Sequence, residues 1–434
     1  MKMSKQMTRR EFLKASVMVT GGLTLSSALA ACALPAAPPP GAPTAVPAKP
    51  KKAVFAIQSF AHDALKPILQ EFTDRTGIEV ALESMPSSGT DALTKLTTYY
   101  SSGSSPYDVV SDSDESAPAF MRAGWLEPLD DVIPAETWAD FPDSMKGQIE
   151  VWHSFEGKKY RVPHEFAMGY FWYRKDWFDE KNMQPPTTWD EMVSIGKEFT
   201  DPDKGIWATE DALAKPALLY VYMAYMTIQA GGEIFSFDEG TAKAFQFVYD
   251  MMYTHKIFPD TALNKNYDQI NEDYLNDRIA FMRQWPYFWS VTRGAKDWYA
   301  EGKAEIALPP AGPAGSRSWV GGWGFTVPKY APNKDAAFEL IRFLTSNEIA
   351  PKLAKANSWF LMPRKSIMAV MGNEGLAVYM KQYSDAGVPY PRPFHPKVAE
   401  AQNVVDDVAS LYLSKQISLA EAMKQGKERI AALG

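Results

Sequence analysis

Apolar and polar positions near residue 52 alternate between the period of a strand and the period of a helix. A short β-type run over 52–57 precedes four apolar residues at the spacing of one helix face, which ends before Gly77: Leu65, Ile68, Leu69 and Phe72. The alternation continues with a strand over 78–82, a helix over 92–100 and a strand over 107–110. Alternating strands and helices imply parallel strands joined by crossover helices. The predicted fold class is therefore α/β.

Helical periodicity dominates the later part of the chain. Thr188 and Glu191 have the spacing of a capping box, in which a hydroxyl and a carboxylate satisfy free amides at a helix start. The region 212–254 is predicted to be mostly helical, and the last long helices are predicted over 335–345, 396–413 and 419–433. No internal repeat is visible.

The first 52 residues are predicted to be an export signal followed by a tether. Arg9 and Arg10 precede an apolar run over 15–31, which is similar to a twin-arginine export signal, and the residues before Cys32 resemble a lipobox. We expect a signal peptide over 1–31, lipidation of Cys32, and a Pro/Ala-rich tether over 32–52. An incidental cysteine after an ordinary signal is the alternative.

Composition narrows the function classes. The chain of 434 residues is 46% hydrophobic, which is enough for substantial cores, and its net charge of −7 argues against a nucleic-acid partner. Cys32 is the only cysteine, so no intramolecular disulfide is possible. After residue 31 no apolar run is long enough to span a bilayer. We expect a monomer that is anchored to a membrane by lipid, outside the cytoplasm.

Catalytic and metal motifs are missing from the sequence. There is no Gly-x-Ser-x-Gly elbow, no Walker loop and no dinucleotide fingerprint, and the five histidines lack ligand spacing. We therefore expect no enzyme activity, no catalytic residue, no cofactor and no metal. A glycosidase needs only two carboxylates that the fold brings together, so a secreted glycan-processing enzyme stays open as an alternative.

Six segments in a fixed order carry a family resemblance. They are Tyr107–Val110 with Ala123–Leu126, Gly157–Pro163 leading into Trp172–Asp176, Pro186–Glu191, Trp285–Tyr287, Gly321–Gly324, and Arg392–Pro393. Together they resemble the family 1 extracellular solute-binding proteins, the maltose/trehalose-type receptors of ABC importers. The resemblance implies a sugar or another small molecule as ligand and the transmembrane subunits of an ABC permease as partners.

The family fold implies two discontinuous α/β lobes joined by a hinge, a periplasmic-binding-protein-like fold of type II. We expect an N-terminal lobe of residues 53–163 plus 281–326 and a C-terminal lobe of 164–280 plus 327–434. The crossings between lobes are expected near Pro163, Phe281 and Val327. The ligand would lie in the cleft between the lobes and be enclosed by hinge motion.

The resemblance also implies ligand contacts. Trp285 and Trp323 would stack on sugar rings, whose C–H faces an indole can cover, and Tyr287 belongs to the same segment. Gly321 and Gly322 would let backbone amides approach the ligand, and Arg392 would offer donors to hydroxyls or a carboxylate. Core packing, a strand bulge and a surface ion pair are the respective alternatives.

Two departures from the family pattern bear on which class of ligand the site binds. Ala167 and Ser113 stand where sugar binders commonly carry acids, so Glu165, Asp112 or Asp114 are the candidates to replace them. Gln58, Ser59 and Phe60 follow the first strand, where open α/β sheets meet ligands, and are further candidates. A non-sugar solute such as a glycerophosphodiester, a polyol or a peptide-like molecule therefore stays open.

Overall fold

The computed structural model describes residues 52–86, 89–294, 298 and 300–434. The predicted signal peptide, Cys32 and the tether up to residue 51 lie outside the described residues. The stretch Lys49–Gly434 forms one compact unit. Among the described residues, no helix is both long and apolar enough to cross a membrane.

Strands and helices alternate as the sequence pattern predicts. The strands are β1 Lys52–Gln58, β2 Glu79–Met85, β3 Val109–Ser113, β4 Ser154–Phe155, β5 Lys158–Lys159, β6 Val162–Pro163, β7 Ala167–Met168, β8 Tyr170–Arg174, β9 Trp207–Thr209, β10 Ile279–Gln284, β11 Ala304–Ala307, β12 Ser318–Gly321, β13 Trp323–Thr326 and β14 Pro389–Pro391.

The longer helices surround these strands. They are α1 His62–Thr76, α2 Gly89–Ser101, α3 Ala117–Arg122, α4 Ala135–Ala139, α5 Lys146–Trp152, α6 Lys175–Glu180, α7 Trp189–Phe199, α8 Leu218–Ala230, α9 Glu239–Tyr253, α10 Tyr267–Leu275, α11 Phe288–Gly294, α12 Lys334–Leu344, α13 Ile349–Ala356, α14 Lys365–Met371, α15 Leu376–Asp385, α16 Val398–Leu413 and α17 Leu419–Ala431.

Local signals explain several element boundaries. Gly77 ends α1 in the left-handed conformation, with φ of 72°, which glycine adopts without steric cost. At the start of α7 the Thr188 hydroxyl accepts a hydrogen bond from the Glu191 amide, while the Glu191 carboxylate accepts from the amide of Thr187. The predicted cap is confirmed, with its carboxylate reaching one residue further back.

Two main sheets organise the fold. The first sheet has the strand order β2-β1-β3-β13-β6, and the second has the order β11-β8-β10-β9. In the first sheet β1 runs parallel to β2 and β3, whereas β13 runs antiparallel to β3 and β6. A smaller sheet, β14-β12-β7, is built from the segments by which the chain passes between the two.

Two of the predicted crossings between lobes, those near Phe281 and Val327, lie elsewhere in the structure. The segment 281–326 was expected in the N-terminal lobe, but β10 and β11 within it pair with β8 in the second sheet. The chain returns to the first sheet after Gly321, at β13. It then stays with the first sheet beyond Val327, since α12 and α13 pack on the core of β1 and β3. Strand pairing between distant segments, which local sequence does not encode, sets both boundaries.

Candidate functional site

The first sheet brings several predicted residues to one edge. β1, β3 and β6 point the same way. Gln58 is the last residue of β1, and Asp114 and Glu165 follow β3 and β6, so all three lie at carboxyl ends of strands. Trp323 begins the antiparallel β13 at this edge and lies opposite Ser113. Ligands of open α/β sheets bind outside this edge. The structure thus gathers residues that are more than 250 positions apart in sequence.

The second sheet presents a matching edge. β9 runs parallel to β10, and these strands lead into Asp211 and Trp285 respectively. Arg283 donates two hydrogen bonds of 2.9 Å to the Asp211 carboxylate. Its guanidinium carbon also lies 4.7 Å from the centroid of the Trp285 ring. A buried ion pair therefore supports the position of this indole.

Six aromatic side chains link the two edges. Ring centroids of Trp285 and Trp319 are 5.1 Å apart, and those of Trp323 and Trp359 are 6.1 Å apart. A further ring, Phe60, lies 4.8 Å from Trp359 and 6.4 Å from Tyr287. Tyr287 follows Trp285 by two residues and Trp323 follows Trp319 by four, so the two groups of ring contacts are also joined along the chain. We call this set the aromatic circuit: Phe60, Trp285, Tyr287, Trp319, Trp323 and Trp359.

A buried ionic network lies beside the aromatic circuit. One oxygen of the Asp114 carboxylate accepts from the Gly322 amide at 2.8 Å and from the Arg392 guanidinium at 3.0 Å, and the other accepts from Arg161. Arg392 also donates to Glu115. We call Asp114, Glu115, Arg161 and Arg392 the ionic network. It joins the end of β3 to the segment that follows β14.

Aromatic rings enclose the Arg392 guanidinium. Its central carbon lies 5.2 Å from the Trp152 centroid and 4.9 Å from the Trp319 centroid. Arg392 is 5% exposed, so the alternative of a surface ion pair does not describe it. The side chain is a buried link whose donors are already directed at two carboxylates.

The two glycines allow close packing within the protein. A Cβ on Gly321 would lie 2.8 Å from Asp114 Oδ2 and 2.8 Å from the Trp319 ring. A Cβ on Gly322 would lie 2.8 Å from the Glu165 carbonyl oxygen. Packing against Asp114 and Trp319 at Gly321, and against the Glu165 backbone at Gly322, therefore leaves little room for a side chain at either position. Their predicted contact with a ligand stays a prediction.

Glu165 is a buried acid at the edge. It is 6% exposed, and its Oε2 atom has no hydrogen-bond partner among the described residues. Burial raises the pKa of Glu165 well above its usual range, nearby Asp114 and Glu115 add to the rise, and the Trp359 indole and Arg161 oppose it. This carboxyl group stands between the aromatic circuit and the ionic network.

The other predicted polar residues have different surroundings. Asp112 accepts hydrogen bonds from Ser113 and Ser116, and burial raises its pKa to about 6. Ser113 is the last residue of β3 and Ser116 precedes α3. Gln58 is buried, and its Nε2 donates a hydrogen bond of 3.1 Å to the Pro86 carbonyl. Its Oε1 has no hydrogen-bond partner in the part of the chain that the structure describes.

Ser59 and Tyr287 lie at the rim. Ser59 is exposed and begins a 3-10 turn after β1. The Tyr287 hydroxyl accepts a hydrogen bond of 2.9 Å from Asn271, which in turn accepts from Gln284. The tyrosine is thus held by the end of the second sheet.

A cavity of about 500 Å³ is lined by residues other than those of the aromatic circuit. Its wall includes Trp289 and Ser290, shortly after Tyr287, and Asn357 and Ser358, immediately before Trp359. Ser290 and Ser358 share a hydrogen bond of 3.0 Å across it. The volume lies within the usual range of ligand pockets.

Sequence reasoning missed four residues of this site. Arg161 lies inside a quoted motif but carried no signal of its own, and Glu115 and Trp359 join the site through tertiary contacts alone. Trp319 had a usable signal, because it lies two residues before Gly321 in β12 and therefore shares the side of that strand with a residue already selected.

The chain is similar in sequence to known extracellular binding proteins. A family model described as "Bacterial extracellular solute-binding protein" matches residues 61–351. The chain is 25% identical over 235 residues to a probable ABC transporter-binding protein of Deinococcus radiodurans, covering 51% of this chain and 54% of the relative. It is 24% identical over 275 residues to the diacetylchitobiose binding protein of Streptomyces coelicolor, covering 58% and 57%. The chain thus spans little more than half the length of these two relatives. It is also 23% identical over 338 residues to the erythritol/L-threitol-binding protein of Mycolicibacterium smegmatis, covering 70% and 68%.

Solved structures share the fold. Maltose-bound T. maritima MalE3 superposes with a TM-score of 0.79 at 24% identity, covering 88% of this chain and 100% of that one. A ribitol-bound solute binding protein from Agrobacterium radiobacter K84 gives 0.72 at 22% identity, covering 89% and 100%. The predicted fold class, α/β with the two-lobed architecture of periplasmic binding proteins, is confirmed.

Proposed function

The chain belongs to the bacterial extracellular solute-binding protein family, and from this we infer that it is the extracytoplasmic substrate-binding component of an ABC importer. It captures a neutral, hydroxyl-rich solute, a mono- or oligosaccharide or a polyol, between its two lobes and delivers it to the membrane permease. The names of similar proteins, which bind diacetylchitobiose and erythritol or L-threitol, support this class of ligand.

The aromatic circuit is the observation that carries the proposal. Trp285 follows the second sheet and contacts Trp319, whereas Trp323 begins a strand of the first sheet and contacts Trp359. Both indoles are half-buried. An indole covers the apolar C–H face of a sugar while hydroxyls turn to polar groups at its edge. Glu165 and Gln58 supply such groups at the same edge.

The charges at the site favour a neutral ligand over an anionic one. Arg161 and Arg392 are the cations of the ionic network, and each already donates to a carboxylate. A glycerophosphodiester would have to compete with Asp114 and Glu115 for these donors. The same pairing leaves Asp114 and Glu115 bound to arginines, which does not favour their use as the two catalytic carboxyl groups of a glycan-processing enzyme. Neither alternative is favoured.

We propose the remaining features on the strength of the sequence. Residues 1–31 direct export by the twin-arginine route, Cys32 carries the lipid that anchors the protein to the outer face of the membrane, and residues 32–52 form the tether. The protein acts as a monomer with the permease as partner. The lobes open and close about the segments that form the small sheet.

A thermal-shift screen tests the proposed function. Neutral disaccharides, alditols, a glycerophosphodiester and a buffer blank are added to the purified protein, and responding compounds are recovered for analysis. A ligand at 100 times its dissociation constant stabilises the folded state by about 2.7 kcal/mol, which is a shift of a few degrees. We expect a neutral hydroxyl-rich compound to respond and to be recovered intact. A response to the phosphodiester alone, or turnover, contradicts the proposal.

A further inference from the structure

The ionic network balances its own charge. Asp114 and Glu115 are two carboxylates, Arg161 and Arg392 are two guanidinium groups, and each carboxylate accepts from at least one of them. The arginines and Asp114 are all at most 5% exposed. Buried charges are tolerated when they are paired in this way.

Glu165 is an additional acid beside this balanced set. The groups that act on it electrostatically are Asp114, Glu115 and Arg161, and the Trp359 indole faces it. The adjacent imidazole of His164 lies 2.9 Å from the Ser111 hydroxyl and is kept neutral by burial, which lowers its pKa well below the usual range. Arg161, a member of the ionic network, is the cation among the groups that act most strongly on Glu165.

An ionised Glu165 would be a buried charge without a counter-charge of its own. Its Oε2 atom is buried and has no partner among the described residues, and the nearest arginine already serves Asp114. Leaving a buried carboxylate unpaired is costly, and such a group stays protonated instead. Protonation turns Glu165 into a hydrogen-bond donor at the edge where the aromatic circuit meets the ionic network.

We propose that Glu165 is a specificity-determining residue that meets the ligand as a neutral carboxylic acid and donates a hydrogen bond to a ligand oxygen. This inference rests on the proposed function and names the preferred class more narrowly, as neutral polyhydroxyl compounds with an ether or hydroxyl oxygen facing Glu165. Anionic analogues are rejected because Arg161 and Arg392 already pair with Asp114 and Glu115.

The raised pKa of Glu165 gives the proposal a pH signature. Affinity for a neutral ligand should be constant below that pKa and fall by at most about tenfold per pH unit above it. A ligand with a protonated amine should behave oppositely, because it favours the ionised acid and releases a proton on binding. His153 and His164 are both held neutral by burial. Burial raises the pKa of Asp112 to about 6, and this acid is retained in Glu165→Gln, so a difference between the profiles of the protein and that variant belongs to Glu165.

Infrared difference spectroscopy tests the proposal without any ligand. We compare the protein with its Glu165→Gln variant at neutral pH, and use Glu136→Gln as control because Glu136 is exposed on α4. The protein-minus-variant difference spectrum should show the carbonyl band of a protonated carboxylic acid for Glu165→Gln and no such band for Glu136→Gln. Burial raises the pKa of Asp112 to about 6 and that of Glu210 to about 7, and the bands of these two acids cancel because both variants retain them. If the difference spectrum for Glu165→Gln lacks the band, Glu165 is ionised and the proposal is wrong.

Isothermal titration with a neutral compound from the screen gives the second readout. Between about pH 6 and about pH 10, the protein and Glu136→Gln should lose affinity as pH rises, whereas Glu165→Gln should show a flat profile. Glu165→Ala should lose about tenfold in affinity near neutral pH. A profile that falls equally in Glu165→Gln overturns the proposal. Failure of every compound to bind, with the infrared band present, would count against the proposed function instead.

Discussion

Replacing Arg392 with methionine removes the link between the ionic network and the rings that enclose it. Methionine keeps much of the apolar volume between Trp152 and Trp319, so the change isolates the charge and its hydrogen bonds. Asp114 would lose a partner at 3.0 Å and Glu115 would lose the partner that Arg392 provides. Removing one member of a buried ion pair typically costs about 3–5 kcal/mol, and we expect a loss in that range.

Urea denaturation measures this loss. Arg342→Met is the matched control, because Arg342 is exposed on α12 and should change the free energy of unfolding by less than about 0.5 kcal/mol. Adding Glu115→Gln to Arg392→Met should recover about 1–3 kcal/mol, since the second change removes the carboxylate left unpaired. A loss below about 1 kcal/mol for Arg392→Met, with no coupling to Glu115, would refute the account of a buried network.

Three further changes have directions set by the structure. Gly321→Ala should destabilise the protein by about 1–3 kcal/mol in urea, because its Cβ meets filled space, whereas Gly147→Ala on α5 should be neutral or slightly stabilising; equal effects would contradict this packing. Glu165→Gln should raise the melting temperature more at about pH 8 than at about pH 5. The pKa of Glu165 is raised in the folded state, so the folded protein binds more protons than the unfolded chain and loses stability as pH rises above the usual pKa of 4.5. The variant lacks this carboxyl group and should not show that loss. Asp211→Asn should cost about 3–5 kcal/mol by leaving the buried Arg283 without its carboxylate, and weaker ligand binding should accompany the loss; a stable variant with full affinity would show that this ion pair does not support the site.

Local signals were enough to predict the elements that local chemistry determines. The helix face of Leu65 and Phe72, its end at Gly77 and the cap at Thr188 depend on near neighbours, and all three are present in the structure. The crossings at Phe281 and Val327 depend on which strands pair across the fold. β10 is apolar enough to suit either sheet, so its membership could not be decided from the sequence.

The site was predictable in position and less so in its contacts. Asp114 and Arg392 were each selected as ligand contacts, and the structure shows that they bind one another. Such pairing depends on the approach of segments 278 residues apart, for which no local pattern exists. Trp359 was missed for the same reason, although it contacts Trp323.

The central claim is that the aromatic circuit binds the ligand, and isothermal titration of Trp323→Ala tests it most directly. Trp177→Ala is the control, because Trp177 is also half-buried but its ring contacts Phe199 and Arg174 on the far part of the second sheet. With the neutral compound found in the screen, we predict that Trp323→Ala loses at least about tenfold in affinity while Trp177→Ala stays close to the unmodified protein. Undiminished binding by a folded Trp323→Ala variant would contradict the account.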